Sequence, residues 1–342
     1  SPMKNLYVGT AGVLWALDRL QRAGDAQTTL DLPELAARNV ELFRERPDFM
    51  KGMKLPTPRE AALLTGETGI LLTACRLGRK EYADDLHALV RANVDNEAEE
   101  LMWGAPGTLL AAEAMWRLTG EKRWEAARDE TAGALLARRA ADGYWTQRLY
   151  GQETRGLTPP HGLVGNVQML LPALGDPVNE VTDRTRAILA ETAVVEDGLA
   201  NWPPRPRPEL PGPDGQIRVQ WCAGGPGIVV SAFRYLDEEL LLAGAELPWR
   251  TGPPNLEKGP GICHGTAGNG YAFLMTYWRL ADELWLERAR RFALHALDQV
   301  RRLRKQHGRG RYSLWTGDLG VALFVADCIS GTGVYPVLDE FS

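Results

Sequence analysis

Apolar residues in this chain gather into runs that recur along its length, and each run opens on the same small motif, two glycines separated by two residues. The motif occurs as Gly9/Gly12, Gly66/Gly69, Gly104/Gly107, Gly162/Gly165, Gly224/Gly227, Gly265/Gly268 and Gly317/Gly320. The segments that follow, such as 13–20, 70–77, 108–118 and 271–280, are rich in Ala, Leu and aromatic residues and read as buried helices. More polar stretches lie between the pairs. In one of them Trp285, Ala289, Phe292, Ala293, Ala296, Val300 and Leu303 fall on a single helical face, as expected of an outer helix with solvent on its far side.

Successive pairs stand roughly 40 to 60 residues apart, the length of a helical hairpin with its loops. The pattern predicts an all-α fold, a double-layered α/α toroid with seven inner helices marked by the glycine pairs, as a single domain over 1–342. In a chain with 36 glycines one pair carries little weight, but seven at helix-compatible spacing do. Glycine at the inner ends is expected to let neighbouring backbones approach closely. The last inner helix leaves little room for an outer one after Cys328, so the missing outer helix is expected before residue 1, in a longer polypeptide. Pro203, Pro204, Pro206, Pro208, Pro211 and Pro213 make 197–220 a loop, expected at the mouth of the ring, and 248–261 reads as a second, shorter one.

The 44% hydrophobic content of the 342 residues suffices for an extensive core. A formal charge of −5 without a long Lys/Arg block offers no footprint for nucleic acid or an anionic membrane surface. No run of about 18 apolar residues suggests membrane insertion, and residues 1–7 lack the layout of a signal peptide, so a cytoplasmic protein is expected. Four cysteines are too few for a dense disulfide framework. Cys75 and Cys328 sit within apolar helical runs and read as inert core thiols.

The other two cysteines occupy equivalent places in consecutive repeats, Cys222 two residues before Gly224 and Cys263 two before Gly265. Equivalent positions on adjacent inner helices point to one place, and His264 adds an imidazole there. Two thiolates and an imidazole suit zinc and leave its fourth position open, as in catalytic sites. Cysteines are also common core residues, and spacing alone leaves both readings standing.

The strings Trp221-Cys222-Ala223-Gly224-Gly225-Pro226-Gly227 and Gly261-Ile262-Cys263-His264-Gly265-Thr266-Ala267-Gly268-Asn269-Gly270-Tyr271-Ala272-Phe273-Leu274 resemble the paired signatures of the lanthionine synthetase C-like (LanC-like) family, closer to its eukaryotic-type members than to dedicated lantibiotic cyclases. The resemblance covers nearly the whole chain. It implies an α/α toroid with Zn2+ on Cys222, Cys263 and His264, and an enzyme that adds a thiol, of glutathione or a peptide cysteine, to dehydroalanine or dehydrobutyrine in a dehydrated peptide or protein. A metal-held thiol is deprotonated near neutral pH, whereas a free cysteine, with pKa about 8.5, is mostly protonated.

Addition to the alkene also calls for a general acid. His161, one residue before its glycine pair as His264 is, matches the family's histidine and is expected to do acid/base work, the alternative being that it supports a metal ligand or caps the helix N-terminus. Glu100 stands where lantibiotic cyclases carry an Asp; its other reading is the solvated end of the acidic run 97–100. Lys258 matches a lysine that contacts glutathione in eukaryotic-type members and would clamp a carboxylate, although loop lysines usually do nothing specific. Trp103, Trp221 and Trp315 are expected to pack, with stacking on a substrate as the alternative, and Asp318 has no account at this level. His87, His295 and His307 read as surface or packing residues. Three other readings compete with the enzyme: a non-catalytic zinc- and glutathione-binding module or adaptor, for which His161 would be dispensable; a prenyltransferase-like zinc enzyme, disfavoured by the adjacent Cys263-His264; and a toroidal glycosidase, for whose paired carboxylates only Glu100 and Asp318 offer themselves.

Overall fold

A computed structural model describes residues 2–49, 54–175, 179–206 and 216–341. The chain forms two compact units. The first comprises Ser1–Arg155, Pro160–Gly175 and Glu340–Ser342, and the second Gly156–Pro159 and Asp176–Asp339.

Helices of the first unit are α1 (Thr10–Ala23), α2 (Leu32–Glu45), α3 (Glu67–Arg76), α4 (Ala83–Ala92), α5 (Ala105–Thr119), α6 (Lys122–Arg138) and α7 (Leu163–Leu174). A short antiparallel hairpin, β1 (Gln147–Leu149) and β2 (Gln152–Thr154), lies between α6 and α7. The second unit holds α8 (Glu180–Thr192), the hairpin β3 (Val194–Glu196) and β4 (Leu199–Asn201), α9 (Gly225–Ala232), α10 (Glu238–Thr251), α11 (Thr266–Leu280), α12 (Glu283–His307) and α13 (Asp318–Ser330).

Every glycine pair opens a helix with its first glycine as N-cap: Gly9, Gly66, Gly104 and Gly162 in the first unit, Gly224, Gly265 and Gly317 in the second. These helices pack on one another, α1 on α3, α3 on α5 and α5 on α7 in the first unit, α9 on α11 and α11 on α13 in the second. Their alternates are amphipathic, and α12 buries Trp285, Ala289, Phe292, Ala293 and Ala296 on one face as the spacing predicts. Polar caps mark three of the alternates: Asp31 on α2, Asn179 in a capping box on α8 and Asp282 on α12.

The second glycine of the pair has a more local reason than the expected approach of neighbouring backbones. A Cβ on Gly69, Gly107, Gly227, Gly268 or Gly320 would stand 2.2, 2.4, 1.9, 2.1 or 2.3 Å from the carbonyl oxygen six residues earlier in its own chain. The motif folds the preceding turn back onto the first turn of the helix, and any side chain would prise the two apart. The neighbouring repeat adds to the crowding: Gly69 faces Leu6, Gly107 faces Leu63 and Gly320 faces Ile262.

Two expectations change. Segment 197–220 is not wholly loop, because β4 falls inside it; Pro208, Pro211 and Pro213 lie outside the described residues. The second loop begins at Gly252 rather than residue 248, since Pro248 sits within the last turn of α10. The helical hairpin before it is short, with α9 only eight residues long. Among the described residues no helix is long and apolar enough to cross a membrane.

Candidate metal centre

In the second unit the turns before α9, α11 and α13 are joined through their backbones. The Cys222 N–H donates to the Cys263 carbonyl at 3.1 Å, and the Cys263 N–H donates to the Trp315 carbonyl at 2.9 Å. Each of these residues lies two positions before the first glycine of its pair, so equivalent positions of three consecutive repeats are tied in a row. The consequence for the side chains is direct: one ligand atom each from Cys222, Cys263 and His264 lie within 4.8 Å of one another.

Zinc–sulfur bonds near 2.3 Å and zinc–nitrogen bonds near 2.0–2.1 Å put tetrahedral ligand atoms roughly 3.3 to 3.8 Å apart. The cluster is therefore within a small side-chain adjustment of closing on an ion, and its soft-to-borderline donors fit zinc. Gln220, which sequence reasoning passed over, donates its side-chain amide to Cys222 Sγ at 2.9 Å. Its backbone pairs with Ala223 across the turn, fixing the amide beside the sulfur. Outer contacts of this kind orient and tune metal ligands. Beneath the turns Trp221, Trp315 and Tyr335 pack together, with Trp221 stacked on Tyr335 at 5.3 Å, and the Tyr335 hydroxyl donates to the Ile262 carbonyl at 2.7 Å. Trp221 and Trp315 are fully buried and act as packing.

The Cys222 thiol is brought down to about 5. A hydrogen bond from Cys263 is the largest cause; burial opposes it, and hydrogen bonding and charge from His264 and the Gln220 amide add to the lowering. Burial instead pushes Cys75 up to about 12 and raises Cys328 strongly, as befits inert core thiols. The sign follows from linkage: with its native pKa below its unfolded value of about 8.5, Cys222 contributes stability in full above that value, lost as pH falls toward 5. In chelator-treated protein the urea midpoint is expected to rise between pH 5.5 and 8.5, and to rise less in Cys222→Ser; equal slopes would contradict this.

The first unit carries a second constellation. Glu100 is not the solvated end of an acidic run: it is completely buried. Its Oε1 accepts the Trp103 N–H at 2.7 Å and its Oε2 the Met102 N–H at 3.2 Å, closing the turn before α5. Oε2 also meets His161 Nδ1 at 2.7 Å. A carboxylate already receiving two N–H groups is an acceptor, so Nδ1 carries the proton of the neutral ring. Tyr150, also absent from the sequence reading, stands edge-on to His161 with centroids 6.5 Å apart, and its hydroxyl accepts the Trp103 indole N–H at 2.9 Å. It occupies a positive-φ position, φ 54, at the tip of the β1–β2 hairpin. Burial raises its pKa, and the Glu100 charge adds to this.

Lys258 is exposed in a turn where its backbone N–H donates to Asn255 Oδ1 at 3.1 Å. Asp318 gains an account: it opens α13 and pairs with Arg304 of α12 at 2.9 Å, an acid suitably placed at a helix N-terminus. His87 packs edge-on against Trp124, while His295 and His307 are exposed.

By fold and site this is a mostly helical protein with a Cys2His group suited to a metal ion, gathered where adjacent helices begin. The model of the family described as lanthionine synthetase C-like protein matches residues 4–337, and the chain belongs to that family. Over 126 residues it is 35% identical to Glutathione S-transferase LANCL1 of Danio rerio, covering 33% of this chain and 29% of that one. Over 191 residues it is 27% identical to LanC-like protein GCL1 of Arabidopsis thaliana, covering 52% and 41%. The chain thus spans less than half the length of these two relatives. Among solved structures it is similar to Nisin cyclase, with TM-score 0.66 and 17% identity over 96% of this chain and 89% of that one. That likeness shows the fold, the α/α toroid class expected from the glycine pairs.

Proposed function

We propose that this protein is a zinc-dependent enzyme that adds a thiol, of glutathione or a peptide cysteine, to dehydroalanine or dehydrobutyrine, forming a thioether. The observation that carries the reading is the convergence of Cys222, Cys263 and His264 within 4.8 Å at backbone-tied turns. Zinc held by these side chains would offer its remaining position to a substrate sulfur and lower that thiol's pKa.

In the reaction one carbon–sulfur bond forms and the alkene π bond breaks; the thiol proton is lost and the α-carbon gains a proton. His161 is our candidate for this transfer: with Glu100 holding Nδ1–H, Nε2 takes up a proton and the imidazolium so formed gives it to the α-carbon. Lys258, exposed on its loop, is our candidate for the carboxylate of the thiol substrate. Among the described residues no cysteine is in a disulfide, which suits a reducing cytoplasm.

The test incubates zinc-loaded protein with glutathione and a dehydroalanine peptide and follows adduct mass. Addition is expected with wild type, to be lost in Cys263→Ala, and to fall about 100-fold or more in His161→Ala. Zinc and glutathione binding without adduct formation would overturn the enzyme reading in favour of a binding module.

A further inference from the structure

Charge in this chain is unevenly placed, and the overall balance hides it. The run 301–311, Arg-Arg-Leu-Arg-Lys-Gln-His-Gly-Arg-Gly-Arg, holds six of the 39 basic residues and no acid. Without those six the chain carries 33 basic against 44 acidic residues, a net of −11. The run covers the last two turns of α12 and the segment beyond it, where the helix has left its core; the last buried residue of α12 is Gln299.

All six basic side chains are exposed. Asp298 pairs with Arg302 at 2.7 Å and Asp318 with Arg304 at 2.9 Å, while Arg301, Lys305, Arg309 and Arg311 make no ion pair among the described residues. A helix C-terminus favours cations in its last turn, but its half-charge does not balance six. Arg301/Arg304, Arg301/Lys305 and Arg302/Lys305 are like-charge neighbours at helical spacing, an arrangement that opposes the helix. Local stability does not explain the run, so an anionic partner is the natural counterweight.

Position narrows the partner. Gln299, two residues before Arg301, accepts the Thr266 hydroxyl at 2.6 Å, and Thr266 follows His264 by two residues at the start of α11. At the other end, the Asp318 N–H donates to the Arg311 carbonyl at 2.9 Å in the first turn of α13. The basic run thus borders the helix starts whose turns carry Cys263, His264 and Trp315. An extended polyanion or an anionic bilayer would also meet the −11 of the remaining surface, whereas a short acidic segment, screened beyond roughly 10 Å at 0.1 M salt, feels mainly the patch.

We propose that the basic end of α12 docks an acidic stretch of the peptide that brings the alkene, steering it to the metal centre; this rests on the thiol-addition reading above. The probe is a fluorescein-labelled dehydroalanine peptide preceded by four glutamates, compared with the same peptide bearing four serines. Anisotropy titrations at 50 and 200 mM NaCl use wild type and Arg301→Glu/Lys305→Glu/Arg309→Glu, which touches exposed residues outside the metal and proton-transfer groups. Should the reversal variant misfold, Arg301→Gln/Lys305→Gln takes its place.

Wild type is expected to bind the glutamate peptide about tenfold more tightly than the serine peptide, the preference shrinking at 200 mM salt and disappearing in the reversal variant. Equal affinity for the two peptides, or a preference that survives reversal, overturns the proposal. So does reversal-sensitive retention of phosphatidylserine vesicles or an RNA oligomer by a protein indifferent to the glutamates. Binding needs no turnover: charge-dependent capture without adduct would defeat the enzyme reading and leave the patch, while adduct formation blind to charge would do the opposite.

Discussion

Gly224→Ala is expected to destabilise the protein by about 3 kcal/mol and to weaken zinc capture with it. Gly224 caps α9 with φ 113, a conformation that L side chains rarely adopt. A Cβ there would stand 1.9 Å from the Arg218 carbonyl and 3.0 Å from Asn201 Oδ1, which already accepts the Gly225 N–H at 2.7 Å. The backbone must yield, and the nearest ligand, Cys222, is two residues away with its N–H committed to Cys263. Gly133 provides the control: it lies within α6, and a Cβ there meets nothing within 4 Å. Gly133→Ala should stabilise by about 0.5–1 kcal/mol. Urea midpoints and zinc competition against a chromophoric chelator measure both effects; a Gly224→Ala protein equal to wild type in either would refute the role given to this turn.

Glu100→Gln is expected to lower thiol addition by about 100-fold or more while the protein still folds. The glutamine oxygen can keep the Trp103 N–H, but its amide nitrogen then faces His161 Nδ1 where the carboxylate stood at 2.7 Å. A donor in that place obliges Nδ1 to accept and moves the ring proton to Nε2, which can then no longer take up a proton, and the imidazolium loses its carboxylate partner. Glu100→Ala should behave differently, because it also leaves the Trp103 N–H without an acceptor in a buried site, at a cost of about 2 kcal/mol. Comparing turnover with unfolding midpoints for the two variants separates proton transfer from support of the turn. Full activity in Glu100→Gln would contradict the assignment.

The glycine pairs were legible because their constraint is local: a carbonyl six residues back forbids a side chain wherever the turn folds onto its helix, so the motif repeats with the fold. The thiol pair was legible for a related reason, since equal offsets from equal glycines become neighbours once the turns bond through Cys222, Cys263 and Trp315. What escaped depends on segments without a repeat. Tyr150 reaches His161 only because a two-residue turn between β1 and β2 holds it at positive φ, and Tyr-Gly is a weak turn signal. Glu100 was singled out only through the resemblance; its burial under the Trp103 and Met102 amides, which tells against the solvated alternative, has no sequence signal. Asn201 caps α9 from a strand more than twenty residues earlier, which no spacing rule announces. Pro248 misplaced a loop boundary, because the ring is accommodated in the last turn of α10. The basic end of α12 was visible throughout, yet averaged away in a net charge of −5.

The most direct measurement is metal content by mass spectrometry on purified wild type, Cys222→Ala, Cys263→Ala and His264→Ala, each checked for folding by circular dichroism. About one zinc per chain is expected in wild type, and its loss, or a large fall in affinity, in each folded variant. Wild-type protein that takes up no zinc, or folded variants that keep it at full stoichiometry and affinity, would contradict the assignment of Cys222, Cys263 and His264 as the metal centre.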